Sequence, residues 1–153
     1  MTRIRAETVV NAAQTAVFDT FTDFLKTADM VTAIERIEML TPPPIGVGTR
    51  FRETRIMLGK QASEEMTVFV FDRPRLCELQ ASSHGMLYRS AYEFVPQGGA
   101  TRVTLTFEGT PQTLVARILG ALMGPMIRSS MQKMMKKDME DVKAHIEAKA
   151  RAR

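Results

Sequence analysis

The sequence predicts an α+β protein built on an antiparallel sheet, and three observations carry that reading. Strand-like segments follow one another across tight-turn signals at Leu58-Gly59, Arg73-Pro74, His84-Gly85 and Gly98-Gly99, and consecutive hairpins make an antiparallel sheet. Helical periodicity is confined to the two ends of the chain, which segregates helices from strands. The chain has 153 residues with 44% hydrophobic and 25% charged side chains, enough to bury one core without staples.

The elements follow in order. Arg3 to Val10 alternates and carries β-branched residues, so it predicts a first strand. Asn11 is the expected helix N-cap. Val17, Phe18, Phe21 and Leu25 then fall on one helical face, and a second short helical piece runs to about Val31. Ile34–Leu40 predicts a strand. Thr41–Gly48 is a rigid loop, because its three prolines lack the ladder donor. Strands are expected at Thr49–Met57, Gln61–Phe71, Arg75–Ser82, Met86–Pro96 and Ala100–Gly109. From about Pro111 to Ala150 the period is helical, with Gly124-Pro125 expected to kink or split the helix. No linker interrupts residues 1–153, which predicts a single domain.

The turns also fix which side chains share a face, since side chains alternate along a strand. Two-residue loops pair Ser83 with Met86, Gln97 with Ala100, and Asp72 with Arg75. One face then holds Phe51, Met66, Val68, Val70, Cys77, Leu79, Ala81, Tyr88, Tyr92, Phe94, Val103, Leu105 and Phe107. The other is polar, with Arg50, Arg52, Glu65, Gln80, Arg89 and Arg102 among its members. The apolar stripe Met131, Met134, Met135, Met139, Val142 and Ile146 of the last helix has to cover the apolar face. Six of the chain's 12 methionines fall between Met123 and Met139. Thioethers accommodate irregular shapes.

Several classes are excluded or disfavoured. One cysteine allows no internal disulfide, and His84 and His145 lack metal spacing, so no metal and no cofactor is expected. Charges interrupt the first ten residues, which therefore do not resemble a signal peptide, and the apolar run Leu114–Ile127 is broken by Arg117, Gly120, Gly124 and Pro125. A cytoplasmic protein without a transmembrane segment is expected. The net charge of +4 belongs to the last helix: residues 126–153 hold eight bases against four acids, while residues 1–125 balance. No nucleic-acid surface is expected from so local a surplus.

The runs VNAAQTAVFDTFTDF, IERIEMLTPPPIGVGTRFRET and YEFVPQGGATRVTLTFEG, with the terminal helix ending in DVKAHIE, resemble the START-like, or SRPBCC, superfamily on its polyketide cyclase/dehydrase-like branch. The resemblance spans the chain. It implies a helix-grip fold, in which a curved seven-stranded antiparallel sheet wraps a long C-terminal helix and leaves a cavity. It also implies a hydrophobic or amphipathic ligand such as a lipid, polyketide or quinone, and carries over no catalytic residue.

With that fold granted, ligand-binding residues are expected at Phe51, Arg55, Met66, Val68, Leu79, Tyr88, Ser90, Tyr92, Leu105, Phe107, Met131 and Met135. Glu53, Arg55 and Glu64 fall on the apolar face, either as a polar cluster orienting a ligand or moving a proton, or as an ordinary ion pair at a solvated sheet end. Tyr88 and Tyr92 could donate to a ligand carbonyl or simply pack as core. Glu53, Glu64, Tyr88 and Tyr92 are the candidate catalytic groups. Asp138 is expected to pair with a lysine at the stripe's edge, His84 to be an exposed turn residue, and Cys77 to be a small core hydrophobe. Three functions stay open: a carrier or sensor of a small hydrophobic ligand, a cofactor-free cyclase/dehydratase, and an interaction protein whose basic helix meets a membrane or a partner.

Overall fold

The computed structural model describes residues 2–57 and 59–152, with backbone only at 122 and 123. Leu58 of the first expected turn and the Met123 side chain lie outside the described residues. Strands β1 (Thr2–Val10), β2 (Ile34–Met39), β3 (Arg50–Met57), β4 (Lys60–Asp72), β5 (Leu76–Ser83), β6 (Met86–Gln97) and β7 (Ala100–Pro111) form one sheet. Its order is β1-β7-β6-β5-β4-β3-β2, antiparallel throughout. Helices α1 (Gln14–Phe21) and α2 (Thr27–Met30), joined by a 3-10 turn at Phe24–Lys26, connect β1 to β2. The 38-residue α3 (Leu114–Arg151) closes the chain.

The expected registers hold at three hairpins: Met57 pairs Lys60, Ser83 pairs Met86 and Gln97 pairs Ala100. The β4–β5 turn differs. Asp72 pairs Leu76, so the loop has three residues rather than two. A register shift between Val68 and Val70 absorbs the extra residue and restores Val68 opposite Leu79. The bulge therefore corrects parity: Phe71, not Val70, lies opposite Cys77, and its ring meets Phe18 edge-on at 5.2 Å.

Two helix expectations are also corrected. Ala13, not Asn11, precedes α1, and the Asn11 amide instead donates to Glu147 at 2.9 Å. Helix α1 ends at Phe21, and the 3-10 turn changes the phase, so Phe24 turns inward while Leu25 is 62% exposed. Pro125 does not split α3, which runs unbroken through it. The Thr113 side chain caps its first turn, accepting from the Ala116 amide at 3.1 Å.

Met135, Met139, Val142 and Ile146 of α3 are buried against Phe18, Phe94, Val103 and the rest of the core. The same helix also covers the free edge of β1. Arg128 donates to the Arg3 carbonyl at 2.6 Å, Gln132 to the Arg5 carbonyl at 3.0 Å, and Lys136 to the Glu7 carbonyl. Four helical residues rise about 6 Å and two strand residues rise about 6.6 Å. The two ladders therefore stay in step, and unpaired edge carbonyls are satisfied. Part of the basic surplus thus serves the fold. Among the described residues no helix is long and apolar enough to cross a membrane.

Candidate functional site

The far half of the sheet is not filled by α3. A cavity of about 520 Å³ remains between the inner face of the sheet, α1–α2 and α3. Its walls are mostly apolar. Phe51, Leu79 and Leu105 form the base, Phe24 stacks on Phe51 at 4.5 Å, and Tyr88 stacks on Phe107 at 5.5 Å. Gly109 leaves room for this ring, since an added Cβ would sit 3.3 Å from the Met86 side chain and 3.6 Å from Tyr88. Met131, Met134 and Met135 form the α3 wall. Exposed lining residues, among them His84, Leu119, Gly120 and Ile127, gather at the β5–β6 turn and the first half of α3, which marks the mouth. Gly85 has φ +74, and a Cβ there would meet the Thr113 hydroxyl at 2.8 Å, so no other residue fits this turn.

One polar cluster interrupts these walls. Arg55 makes two bonds to Asp138, at 3.0 and 2.8 Å, and one to Glu53 at 3.2 Å. The Arg55, Glu53 and Asp138 side chains are only 10%, 11% and 21% exposed. Arg55 Nε is buried with no hydrogen-bond partner among the described residues. Burial pushes the Glu53 carboxyl upward, Arg55 opposes it, and Asp138 and Glu64 add to it. Burial also pushes Asp138 upward, against the pull of Arg55. Two direct bonds from Arg55 stabilise the Asp138 anion better than one stabilises Glu53, so Glu53 is the carboxyl that keeps a proton first.

Tyr92 lies beside this cluster. Burial raises its phenol pKa most, and Asp138 and Glu53 raise it further, so it is a neutral donor. Burial and Glu64 raise that of Tyr88 as well. Burial raises the pKa of Glu64, against the pull of Ser83 and His84 beside it. Burial pushes the Cys77 thiol up to about 12, leaving it a core group.

The cavity wall thus brings together Phe51, Glu53, Arg55, Glu64, Met66, Leu79, Tyr88, Ser90, Tyr92, Leu105, Phe107, Met131 and Met135. Val68 is not on it. The side chain is 1% exposed and sits in the closed core, although Val68 keeps its expected partner Leu79. Asp138 pairs with Arg55 rather than a lysine. Its helical angle placed it within the Met stripe, but nothing local could show that β3 brings a cation there. His84 is exposed as expected, yet borders the mouth. Phe21, Phe24, Val31, Ile34 and Ile37 also line the cavity. The sequence signal for them was only the general aromatic and aliphatic run after β1. Among the described residues, no three His, Cys, Asp or Glu side chains converge at metal-binding distance.

An antiparallel sheet gripping one long C-terminal helix over an apolar cavity defines a START-like, helix-grip protein. The chain belongs to the polyketide cyclase / dehydrase and lipid transport family, whose model matches residues 1–147. Solved structures agree on the fold. The Zhui aromatase/cyclase from Streptomyces sp. R1128 superposes with a TM-score of 0.81 at 15% identity, over 99% of this chain and 96% of that one. A START superfamily protein from Mycobacterium smegmatis gives 0.79 at 13%, over 95% and 97%. A protein from Thermus thermophilus gives 0.78 at 21%, over 96% and 98%. No curated protein matches the chain in sequence.

Proposed function

We propose that the protein binds an uncharged, largely apolar small molecule in this cavity, as a carrier or sensor, with a hydrogen-bond acceptor of the ligand at the inner end. The observation that carries this reading is the charge of the cluster set in apolar walls. Arg55 is outnumbered by Glu53 and Asp138. With both carboxylates ionised the cluster is an anion, and with Glu53 protonated it is neutral. In neither state does it welcome a second anion, since burying unpaired like charge is costly. A carbonyl or hydroxyl suits it, because the Arg55 Nε–H is a buried donor without a partner among the described residues and the neutral Tyr92 phenol beside the cluster carries an O–H. A quinone, a polyketide or a neutral lipid has that chemistry, and a fatty-acid anion does not.

Native mass spectrometry of freshly purified protein tests this directly. A bound neutral organic molecule supports the reading. Tight, saturable binding of a fatty-acid anion in preference to its methyl ester would overturn it.

A second reading rests on the same cluster. A carboxyl that keeps its proton beside a neutral phenol and an apolar wall is equipped to protonate an enolate or assist loss of water, as a cofactor-free cyclase or dehydratase requires. The two readings part at Glu53→Gln and Glu64→Gln. A carrier keeps its affinity in these variants, whereas an enzyme keeps its affinity and loses turnover.

A further inference from the structure

The amino-terminal half of α3 carries large apolar side chains into solvent. Leu114, Val115, Ile118 and Met126 are 69%, 67%, 53% and 80% exposed. Steps of three, four and eight put them on one side of the helix. Ala116, Gly120, Gly124 and Ile127 of the same turns border the cavity mouth. One helical segment therefore bears both the opening and an uncovered apolar arc, and an arc of this kind marks an interaction surface.

Charge decides what covers it. From Leu114 to Lys137 the helix has no acid, while it carries Arg117, Arg128, Lys133, Lys136 and Lys137. Arg117 and Lys133 are exposed, and neither has an acidic partner among the described residues. Lys136 and Lys137 pair with Glu140 and Asp141, beyond the apolar half. Arg3 emerges from β1 beside the helix, 63% exposed and paired to Glu108. A second copy of this chain would set like cations against like across a two-fold contact. An anionic lipid surface would receive both the apolar arc and the cations.

We infer that the first half of α3 docks on an anionic lipid surface, laying Leu114, Val115, Ile118 and Met126 into the headgroup boundary with the cavity mouth beside it. The segment lies on the bilayer rather than crossing it. This does not depend on what the cavity holds.

Co-sedimentation of the full chain with vesicles is the test. Vesicles of phosphatidylcholine and vesicles of phosphatidylcholine with phosphatidylglycerol are compared, at low and high salt. The protein should sediment with the anionic vesicles at low salt and be released at high salt. Arg117→Gln and Lys133→Gln should each weaken partition about five-fold. Val115→Glu combined with Ile118→Glu should abolish it while leaving Nile red binding in solution unchanged, because neither side chain is on the cavity wall. If the double glutamate variant loses its circular dichroism, the Arg117→Gln, Lys133→Gln pair decides instead. Wild-type protein that ignores anionic vesicles, or variants that sediment as wild type does, would sink the inference. So would a dimer in sizing experiments that the glutamate variants turn into monomer while vesicles have no effect.

Discussion

Arg55 on β3 and Asp138 on α3, 83 residues apart in sequence, face each other through two hydrogen bonds of 3.0 and 2.8 Å at the inner end of the cavity. It is a charge-assisted, two-pronged tie between the sheet and the helix that grips it. Asp138→Ala leaves the guanidinium buried with only Glu53 for company. Urea unfolding should show a loss of about 3 kcal/mol, the scale of a broken buried pair. The double replacement Arg55→Met, Asp138→Leu should recover most of it, since the guanidinium leaves with its partner and Glu53, whose pKa burial already raises, is left to stay neutral. A double variant no better than the single one would show that the pair itself supplies the stability.

Glu53 makes stability depend on pH in an unusual direction. Burial lifts its folded pKa above the ordinary 4.5. The folded state therefore holds the proton more tightly than the unfolded chain does. That contribution is complete below the unfolded value and is lost as pH rises through the folded one. Glu53→Gln stays neutral at every pH. Its stability relative to wild type should therefore grow from about pH 4.5 upward and level off once wild-type Glu53 has ionised. Chemical denaturation across that range measures it, and a constant difference between the two proteins would contradict the assignment.

Filling the cavity should remove binding without unfolding the protein. Leu79→Trp and Leu105→Trp push an indole into the space from the sheet, where overpacking typically costs about 1–3 kcal/mol. Nile red, a neutral apolar dye, should lose its fluorescence enhancement in both. Retained enhancement would place its site outside the cavity.

The methionines of α3 should separate by position. Met139 is 1% exposed and Met126 is 80% exposed. Met139→Ala should cost about 2–5 kcal/mol in denaturant unfolding, whereas Met126→Ala should change stability by less than about 0.5 kcal/mol. Equal effects would mean that α3 does not sit on the sheet as described.

Much of the fold is legible in the sequence because its signals are local. Gly98-Gly99 and His84-Gly85 set a two-residue loop, and the loop sets the parity of every side chain on β5, β6 and β7. Leu79, Tyr92 and Leu105 reach one face on that ground alone. The Arg73-Pro74 turn shows the limit. Its third residue shifts the register, and the shift is undone at Phe69–Val70 by a bulge that has no turn residue to announce it. Val70 and Phe71 exchange faces, while Val68 keeps its expected partner Leu79 and lies in closed core for a reason of packing, not of register.

The site follows the same division. The sequence by itself determined that Glu53, Arg55, Tyr88 and Tyr92 share the apolar face, since alternation needs only the strand. It also determined that Met131, Met135 and Asp138 share a helical stripe, since that needs only the period. Only the tertiary structure decided that Asp138 meets Arg55 and not a lysine, because an ion pair across 83 residues is set by where α3 lies on the sheet. The packing also decided that the sheet's far half stays open, that Arg128 and Lys136 serve the edge of β1, and that Leu114, Val115, Ile118 and Met126 face solvent. Those outcomes depend on how much of the helix the curved sheet can cover, which no local pattern encodes.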